Sequence, residues 1–167
     1  MVFLGLGLTS CDKEEENTSV KEGIAKSTLT FTEVSGETVE AHGDHFHGLD
    51  AGVEGESITV EFDEHGHATA NGHLHLHAEA AYKIVLKTWD FEGAEVQDQF
   101  IASKSVADAY KVFLVGGDFI LNPATSAETG AIFQPREKLY GDGTAVNGKY
   151  EATGVLSYFT IGQDNEG

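Results

Sequence analysis

Alternating apolar and polar positions dominate the middle of this chain, and they predict strands. In the segment 27–34, Leu29 and Phe31 alternate with threonines, which is the pattern of a half-buried strand. The segment 58–62 alternates in the same way, and the segment 81–89 carries apolar residues on both of its faces, which predicts a central strand. Further strands are predicted at 96–101, 119–121, 131–134 and 149–161.

The segment 65–77 alternates with histidine as its main polar residue. Its odd positions include five histidines, and its even positions are all small or apolar. Because alternate side chains of a strand share one face, a strand here would place His73, His75 and His77 on one side and the two leucines between them in the core. The sequence therefore predicts a strand with a histidine face.

Two turns compete to set the register of that strand. Residues 63–66 form a good hairpin turn, with Gly66 able to take a positive φ, and this turn is the favoured one. The pair Asn71-Gly72 is itself a two-residue hairpin signal. If the chain turns there, His67 faces away from His75, whereas His67 joins the histidine row if the strand runs through.

Helical spacing is limited to the segment 105–115. Residues 105–108 resemble a capping box, apolar residues then recur at helical spacing as far as Leu114, and Gly116-Gly117 is a suitable stop. This pattern predicts a helix of about ten residues, with a buried strand over 111–115 as the alternative. Loops are predicted at 39–48 and 49–56, and turns at 90–93 and 140–143.

These elements predict a mainly β fold, an antiparallel β-sandwich of about seven strands with at most one short helix. The chain has 167 residues, which is enough to bury a core, so residues 27–167 are expected to form a single β-rich metal-binding domain for the reasons given below. The expected core residues are Phe31, Ile58, Val60, Phe62, Ile84, Leu86, Phe113 and Tyr158.

The charge of the chain is strongly negative. Twenty-eight acidic residues against ten basic ones give a formal net charge of -18. Such a surface repels the phosphates of nucleic acids and of anionic lipid headgroups, so neither is expected as a partner, and it raises the local concentration of cations. High solubility would account for the same charge, so the charge by itself does not identify a ligand.

The first residues carry the pattern of an exported, lipid-anchored protein. Residues 2–8 are an apolar run too short to span a bilayer, and the usual basic start of a secretory signal is missing, so the signal is abbreviated or its start lies upstream. The run ends in Leu8-Thr9-Ser10-Cys11, which resembles the lipobox of bacterial lipoproteins. That resemblance implies a signal peptide over residues 1–10, cleavage before Cys11 and lipid on its sulfur. An ordinary signal peptide with a chance cysteine is the alternative.

The residues that follow Cys11 bear on where the protein resides. Residues 12–16, Asp-Lys-Glu-Glu-Glu, resemble the lysine-plus-acidic export signal of surface-exposed outer-membrane lipoproteins, and a solvated charged linker is the alternative. Residues 11–26 are polar and without periodicity, so they are expected to form a lipidated, flexible, acidic tether. The resemblance implies a surface-exposed place in the outer membrane, with contact to the membrane only through the lipid, and implies no activity.

All eight histidines fall between His42 and His77. Neutral imidazole is the commonest protein metal ligand and His-rich tracts typically bind metals, so this concentration predicts a metal site; a solvated polar loop is the alternative. Asp44 would be a ligand, an acceptor that orients a ring, or a turn residue. The expected ligands are drawn from His42, His45, His47, His65, His67, His73, His75, His77 and Asp44.

The ligand inventory favours Zn²⁺. No methionine follows Met1, and the single cysteine, Cys11, is expected to carry lipid, so the soft donors that Cu(I) prefers are missing. Imidazole and carboxylate suit Zn²⁺ first and then Cu²⁺ or Ni²⁺. Haem is the competing cofactor because two axial histidines would suffice, but it needs an apolar slot beside them, for which Phe46, Leu49 and Leu74 are available.

These observations favour a binding protein over an enzyme. The chain has no Gly-x-Ser-x-Gly motif and no free cysteine nucleophile, so catalysis would depend on water bound to a histidine-held zinc ion, as in a metal-dependent hydrolase or lyase. We expect a lipoprotein that captures a divalent transition metal ion or hands it to a metal-uptake receptor in the outer membrane. A haem-binding lipoprotein, or a surface protein in which the metal only holds a loop in place, would also fit the histidines.

Overall fold

The computed structural model describes residues 21–115, 118–121, 129–148 and 151–165. The expected signal peptide, Cys11 and most of the expected tether lie outside these ranges, as does the Gly116-Gly117 pair expected to end a helix. Within the described residues the expected fold class is confirmed, because the protein is mainly β and its paired strands are antiparallel.

The regular elements of the described chain form two sheets and a few short helical turns. They are β1 (Lys26–Ser35), β2 (Glu40–His42), β3 (His45–His47), β4 (Val53–Phe62), β5 (Ala68–Ala70), β6 (Ala81–Trp89), α1 (Lys104–Ala107), β7 (Ile132–Pro135) and β8 (Leu156–Thr160). Six strands form one sheet in the order β5-β4-β1-β6-β8-β7, and β2 and β3 form a separate two-stranded sheet. The expected central position of the strand 81–89 is confirmed, since β6 pairs with β1 on one side and β8 on the other.

The two faces of the large sheet bury different clusters. One face carries Ile84 and Phe159, which pack together. The other face carries Ala81 and Ile132, which pack against Phe46 of β3. Because successive residues of a strand point to opposite faces, Ala81 and Ile84 of the same strand reach different clusters. The small sheet therefore forms a second layer over one face of the large sheet.

Six of the eight expected core residues are buried or half-buried, with Val60 and Ile84 the most enclosed. The other two expectations were wrong: Ile58 is 41% exposed and Phe113 is 75% exposed. Ile58 lies on β4, near the edge of the sheet, where little of the chain covers it. Phe113 lies in a segment that follows α1 without regular structure, so helical spacing does not bring it inward.

The expected helix over 105–115 is reduced to the four residues of α1. The cap lies two residues earlier than expected, since the Ser103 hydroxyl accepts a hydrogen bond from the Val106 amide at 3.4 Å. Beyond α1 the Val112 amide donates to the Thr153 carbonyl at 2.8 Å, and this tertiary contact overrides the helical spacing. The alternative, a buried strand over 111–115, is not formed either. None of the described helices is long and apolar enough to cross a membrane.

Four other segments differ from the expected pattern. They are 39–48, which contains β2 and β3; 49–56, which contains the start of β4; 96–101, which is largely a 3₁₀ helix (Gln97–Ile101); and 149–161, where β8 begins only at Leu156. The expected strand at 119–121 is reduced to one bridge from Leu121 to Ala131. There the Asn165 side chain bonds both the amide and the carbonyl of Ile120, at 2.7 and 2.9 Å, and so takes the place of a strand partner.

The expected turns are confirmed. Each is closed by a backbone hydrogen bond whose donor is a glycine amide at the fourth position, and each of these glycines has a positive φ, which a residue without Cβ adopts freely. The three bonds are Gly66 to Asp63 at 3.0 Å, Gly93 to Asp90 at 3.1 Å and Gly143 to Tyr140 at 2.9 Å.

Candidate metal centre

Three histidines lie together on the β2–β3 hairpin. The paired residues are His42 with His45, Ala41 with Phe46 and Glu40 with His47. Because alternate residues share a face, His42, His45 and His47 project from one side of the hairpin together with Glu40. We call these three histidines the hairpin triad.

The local sequence explains why this hairpin forms. Gly43 and Asp44 make a two-residue turn with a φ of 59° at Gly43, which is the glycine position of a type II′ turn. Gly48 ends β3 with a φ of 68°, and a Cβ there would collide with the Thr38 carbonyl oxygen, so no other residue fits. The expected loop at 39–48 is thus a hairpin because its glycines shape two turns.

Phe46 anchors the hairpin to the large sheet. Its side chain is only 2% exposed and packs with Ala81 and Ile132. Its amide donates to Gln134 Oε1 at 3.0 Å, and its carbonyl accepts from Arg136 Nη2 at 3.3 Å. The residue between two triad histidines is therefore held through its side chain and through both of its backbone polar groups.

The three rings of the triad lie close to one another. Their centroids are 4.6 Å apart for His45 and His47, 5.8 Å for His42 and His47, and 6.1 Å for His42 and His45. Zinc binds imidazole nitrogen at about 2.0–2.1 Å, which places ring centroids roughly 5 Å apart in a tetrahedral site. The observed centroid separations bracket that value.

The nitrogen atoms of the triad do not yet converge. Within the described part of the chain, no group of three or more His, Cys, Asp or Glu side chains stands arranged to hold a metal ion. The position of each ring centroid depends on the backbone and on the first side-chain torsion, and the direction of the ring nitrogens depends on both side-chain torsions. Binding would therefore need changes in the side-chain torsions of the triad.

Asp44 orients one ring of the triad. His45 Nδ1 lies 3.0 Å from Asp44 Oδ1. An ionised carboxylate can only accept, so Nδ1 is the donor in this contact, and in a neutral ring Nε2 would then keep its lone pair. The structure thus places Asp44 both in the turn and beside a ring, as two of the three expected roles require. The His45 side chain is 38% exposed, which leaves it accessible but partly sheltered.

The other five histidines are arranged differently. The expected strand over 65–77 extends only through β5, because Asn71 turns the chain with a φ of 52° and its side chain donates to the Thr59 carbonyl at 2.9 Å. The alternating exposure nevertheless persists in the segment 73–77, where the histidines are exposed and the leucines half-buried. Leu76 packs against the core as expected.

These five histidines form two pairs and a single ring. His73 and His75 have centroids 4.8 Å apart, and His65 and His67 have centroids 6.1 Å apart. His77 Nδ1 lies 3.6 Å from a carboxylate oxygen of Glu33. Their side chains are open to solvent, with exposed fractions of 69% for His65, 78% for His67 and 83% for His77.

A cleft of about 550 Å³ opens beside the triad. Asp44 and His45 form one wall, and the residues that follow β7 form another, among them Arg136, Glu137 and Lys138. His45 therefore belongs both to the triad and to the lining of the cleft.

The residues named for a haem slot do not form one beside the triad. Phe46 is buried, and Leu49 packs against the same cluster. An apolar cleft of about 380 Å³ lies on the opposite face of the large sheet, lined by Leu29, Phe31 and their neighbours, and no histidine of the described residues lines it. Leu74 lies elsewhere, in the lining of a second cleft of about 560 Å³ together with His75 and His77.

Three residues around the triad were not predicted from the sequence. The position of Glu40 could have been predicted from the stretch 40–47, in which two alternating strands flank a Gly-Asp turn. Nothing in the sequence points to Gln134 or Arg136, since they lie 88 and 90 residues from Phe46.

Comparison with protein-family models, with curated proteins and with solved structures found no match for this chain. The candidate site therefore stands on its own residues and geometry.

Proposed function

We propose that this protein is an outer-membrane lipoprotein that binds a divalent transition metal ion at the hairpin triad. Zinc is the favoured ion, ahead of Cu²⁺ and Ni²⁺. The observation that carries the proposal is the triad itself, three imidazoles on one side of an anchored hairpin with centroids 4.6 to 6.1 Å apart. Three imidazole ligands with an open fourth position are a common way to hold zinc.

The ion is cargo in this proposal, captured at the surface or handed to a metal-uptake receptor. The core clusters of the large sheet are built from apolar residues that do not depend on the triad, so the domain can fold before the ion arrives. The formal net charge of -18 draws cations toward the surface. An exposed triad on a folded domain suits an ion that is loaded and released.

The location rests on the N-terminal sequence. A lipid on Cys11 would anchor the chain, and the acidic residues that follow would hold the domain away from anionic headgroups. Metabolic labelling with a fatty acid tests this part: the intact chain should become labelled and Cys11→Ser should not. Equal labelling of both would remove the lipid anchor from the proposal.

Zinc titration by calorimetry tests the metal site, with two matched double variants of the purified chain. His42→Ala with His45→Ala removes two triad rings and should weaken zinc binding about 100-fold or more, since two of three ligands are lost. His65→Ala with His67→Ala removes two rings from a pair 6.1 Å apart outside the triad and should leave the tight phase unchanged. If both double variants bind zinc as the parent chain does, the triad is not the site.

A further inference from the structure

The cleft of about 380 Å³ on the face of the large sheet opposite the hairpin has no part in the proposed metal site. We call it the apolar cleft. Side chains from β1, β4, β6, β7 and β8 line it, and the segment 112–114 and Gly154 complete the lining. Its volume lies within the usual range of small-molecule pockets, about 300–1,000 Å³. The cleft is therefore large enough to hold a ligand.

The lining of the apolar cleft restricts the chemistry of an occupant. None of the described residues that line it carries a charge, in a chain with 28 acidic residues, and Ser27 supplies the one polar side chain among them. Five of the lining residues are phenylalanines: Phe31, Phe62, Phe113, Phe133 and Phe159. A polar or charged group placed there would lose its hydration without gaining a partner. The occupant must therefore be apolar.

The chain enters the described structure at one end of the apolar cleft. Ser27 of β1 pairs with Phe62, the last residue of β4, and both line the cleft together with Gly66 of the turn that follows. Lys21 is the first described residue, and its Nζ lies 2.9 Å from Oε2 of Glu64 in the same turn. Whatever the chain carries before Lys21 is therefore attached close to this end of the cleft.

The lipid proposed for Cys11 is the apolar group that lies within reach. Cys11 is outside the described residues and ten positions before Lys21, and ten extended residues span up to about 35 Å. Residues 12–19 are all polar, so they do not match the lining of the cleft. The apolar run 2–8 is removed with the signal peptide in the proposed function. An acyl chain on Cys11 thus has both the required chemistry and a sufficient tether.

We propose that the apolar cleft receives an acyl chain carried by Cys11 of the same molecule whenever no bilayer is present to take it. This proposal rests on the lipid anchor of the proposed function and not on the metal site. Transfer of an acyl chain out of water is favourable in proportion to the apolar area buried, so the cleft and the bilayer compete for the same chain. The domain is anchored with the chain in the bilayer and soluble with the chain in the cleft.

The first test compares the methyl NMR signals of the acylated chain with those of Cys11→Ser, both in buffer without detergent. The signals of Leu29 and Leu86, which line the apolar cleft, should differ between the two chains. Those of Val34 should not, because Val34 lies on β1 but outside the lining of this cleft. Identical signals at Leu29 and Leu86 would show that the cleft does not hold the acyl chain and would overturn the proposal.

The second test measures how tightly acylated variants bind vesicles of neutral phosphatidylcholine. Phe113→Glu puts a carboxylate into the lining of the cleft, whereas Val115→Glu adds the same charge two residues away, outside the described lining. Phe113 and Val115 are 75% and 84% exposed, so neither change should unfold the domain. If the cleft holds the acyl chain nine times in ten, it weakens vesicle binding about ten-fold, and Phe113→Glu should bind about ten-fold more tightly than Val115→Glu. Equal binding would overturn the proposal.

A second pair of variants fills the cleft instead of charging it. Ser27→Trp places a large ring in the lining of the cleft, whereas Thr28→Trp places the same ring on the opposite face of β1, since successive residues of a strand alternate. The acylated Ser27→Trp chain should therefore bind the vesicles more tightly than acylated Thr28→Trp, with thermal melting as the check that both are folded. Equal vesicle binding by these two folded chains would also overturn the proposal.

The outcomes separate this inference from the proposed function. If fatty acid labels the intact chain but the signals of Leu29 and Leu86 match those of Cys11→Ser, this inference fails and the lipid anchor stands. If the intact chain takes up no label, the lipid anchor fails and this inference fails with it, whereas the metal site is unaffected. Association of the acylated chain that grows with its concentration, together with shifted cleft signals, would place the acyl chain in the cleft of a second copy and overturn its insertion within one molecule.

Discussion

The β2–β3 hairpin and the segment 65–77 both carry histidines at alternate positions, yet the structure treats them differently. The hairpin has three histidines, and its backbone is paired, turned by two glycines and fixed to the large sheet at Phe46. The segment 65–77 has five, but its strand pairing stops at Ala70. The larger number of imidazoles therefore lies on the less constrained backbone.

Anchorage, more than the number of histidines, distinguishes the two regions as candidate metal sites. A site needs its ligands held near the productive geometry before the ion arrives, and packing of neighbouring residues provides that. Phe46 lies between His45 and His47 and is buried. In the segment 73–77 the corresponding residue, Leu74, is only half-buried and the flanking rings are exposed. The hairpin is the better-prepared site.

The largest effect is expected from removing Phe46, the residue that anchors the hairpin to the large sheet. Phe46→Ala deletes a fully buried aromatic side chain, and such deletions cost about 3–5 kcal/mol of folding free energy. The hairpin should detach, so zinc affinity should fall although every histidine remains. Thermal unfolding and zinc titration measure the two effects. Phe113→Ala is the matched control, because Phe113 is 75% exposed and its loss should cost less than about 1 kcal/mol. Unchanged zinc affinity in Phe46→Ala would mean that anchorage does not matter.

Acidification should have the next largest effect. Imidazole binds a metal ion only in its neutral form, so protons compete with zinc for every ligand histidine. With three ligands, zinc affinity should fall about 100-fold or more from pH 7.5 to 5.5, more steeply than one proton per ion. Calorimetric titrations at several pH values measure the slope. A flat profile over this range would show that carboxylates, not the triad, hold the ion.

Much of the fold followed from the sequence because strand alternation is a local property. The strands β1, β6 and β7 and the turns at 63–66, 90–93 and 140–143 form where the pattern of apolar residues and glycines predicts them. The expected helix was cut short and the expected strand at 119–121 was reduced for a non-local reason. Val112 is drawn to Thr153 and Ile120 to Asn165, and local spacing carries no information about such partners.

Only part of the candidate site could be predicted from the sequence. The sequence identified the histidines and Asp44 as a chemical group, because residue type alone carries that signal. It predicted a strand that would place His73, His75 and His77 on one face, whereas in the structure the paired strands β2 and β3 carry the triad. The difference arises from Gln134 and Arg136, which fix Phe46 from 88 and 90 residues away.

Removing the carboxylate of Asp44, which contacts one ring of the triad, should cause a smaller loss of zinc affinity. Asp44→Asn keeps the shape of the turn residue but replaces the carboxylate that accepts from His45 Nδ1. Loss of such a supporting carboxylate typically lowers metal affinity about 10–100-fold, and we expect a zinc titration to give a value in that range. Asp50→Asn is the control, because it removes an exposed carboxylate that pairs with Lys138. Equal effects of the two variants would assign the loss to net charge.

The His73–His75 pair should contribute less still. Its rings are 4.8 Å apart, close enough to share an ion, but the pair lies on a segment without strand pairing. His73→Ala with His75→Ala should therefore remove a weak second phase of zinc binding and change the tight phase less than about three-fold. Stoichiometry by calorimetry distinguishes the two phases. If this double variant abolishes tight binding, the contrast between the two regions is reversed and the unpaired segment holds the site.

The smallest expected effect concerns the turn that leads into the segment 65–77. Asp63 Oδ1 accepts hydrogen bonds from the amides of His67 and His65, each at 2.9 Å, and these bonds lower the pKa of the Asp63 carboxyl below its ordinary value of 3.8. Because the pKa is lower in the folded state, ionised Asp63 favours folding above the unfolded pKa, and that contribution is lost as the pH falls through the folded pKa.

The turn should therefore loosen only below about pH 4, far from the range in which the triad loses its ion. An NMR titration of the Asp63 carboxyl should give a midpoint below 3.8, and the amide signals of His65 and His67 should move with it. Asp63→Asn keeps an oxygen acceptor but does not titrate, so those amide signals should stay still over the same range. A midpoint at or above 3.8 would mean that the two bonds do not favour the ionised carboxylate. In that case the turn at Asp63 would not constrain the start of the segment 65–77. This segment would then be even less constrained, relative to the hairpin, than its lack of strand pairing indicates.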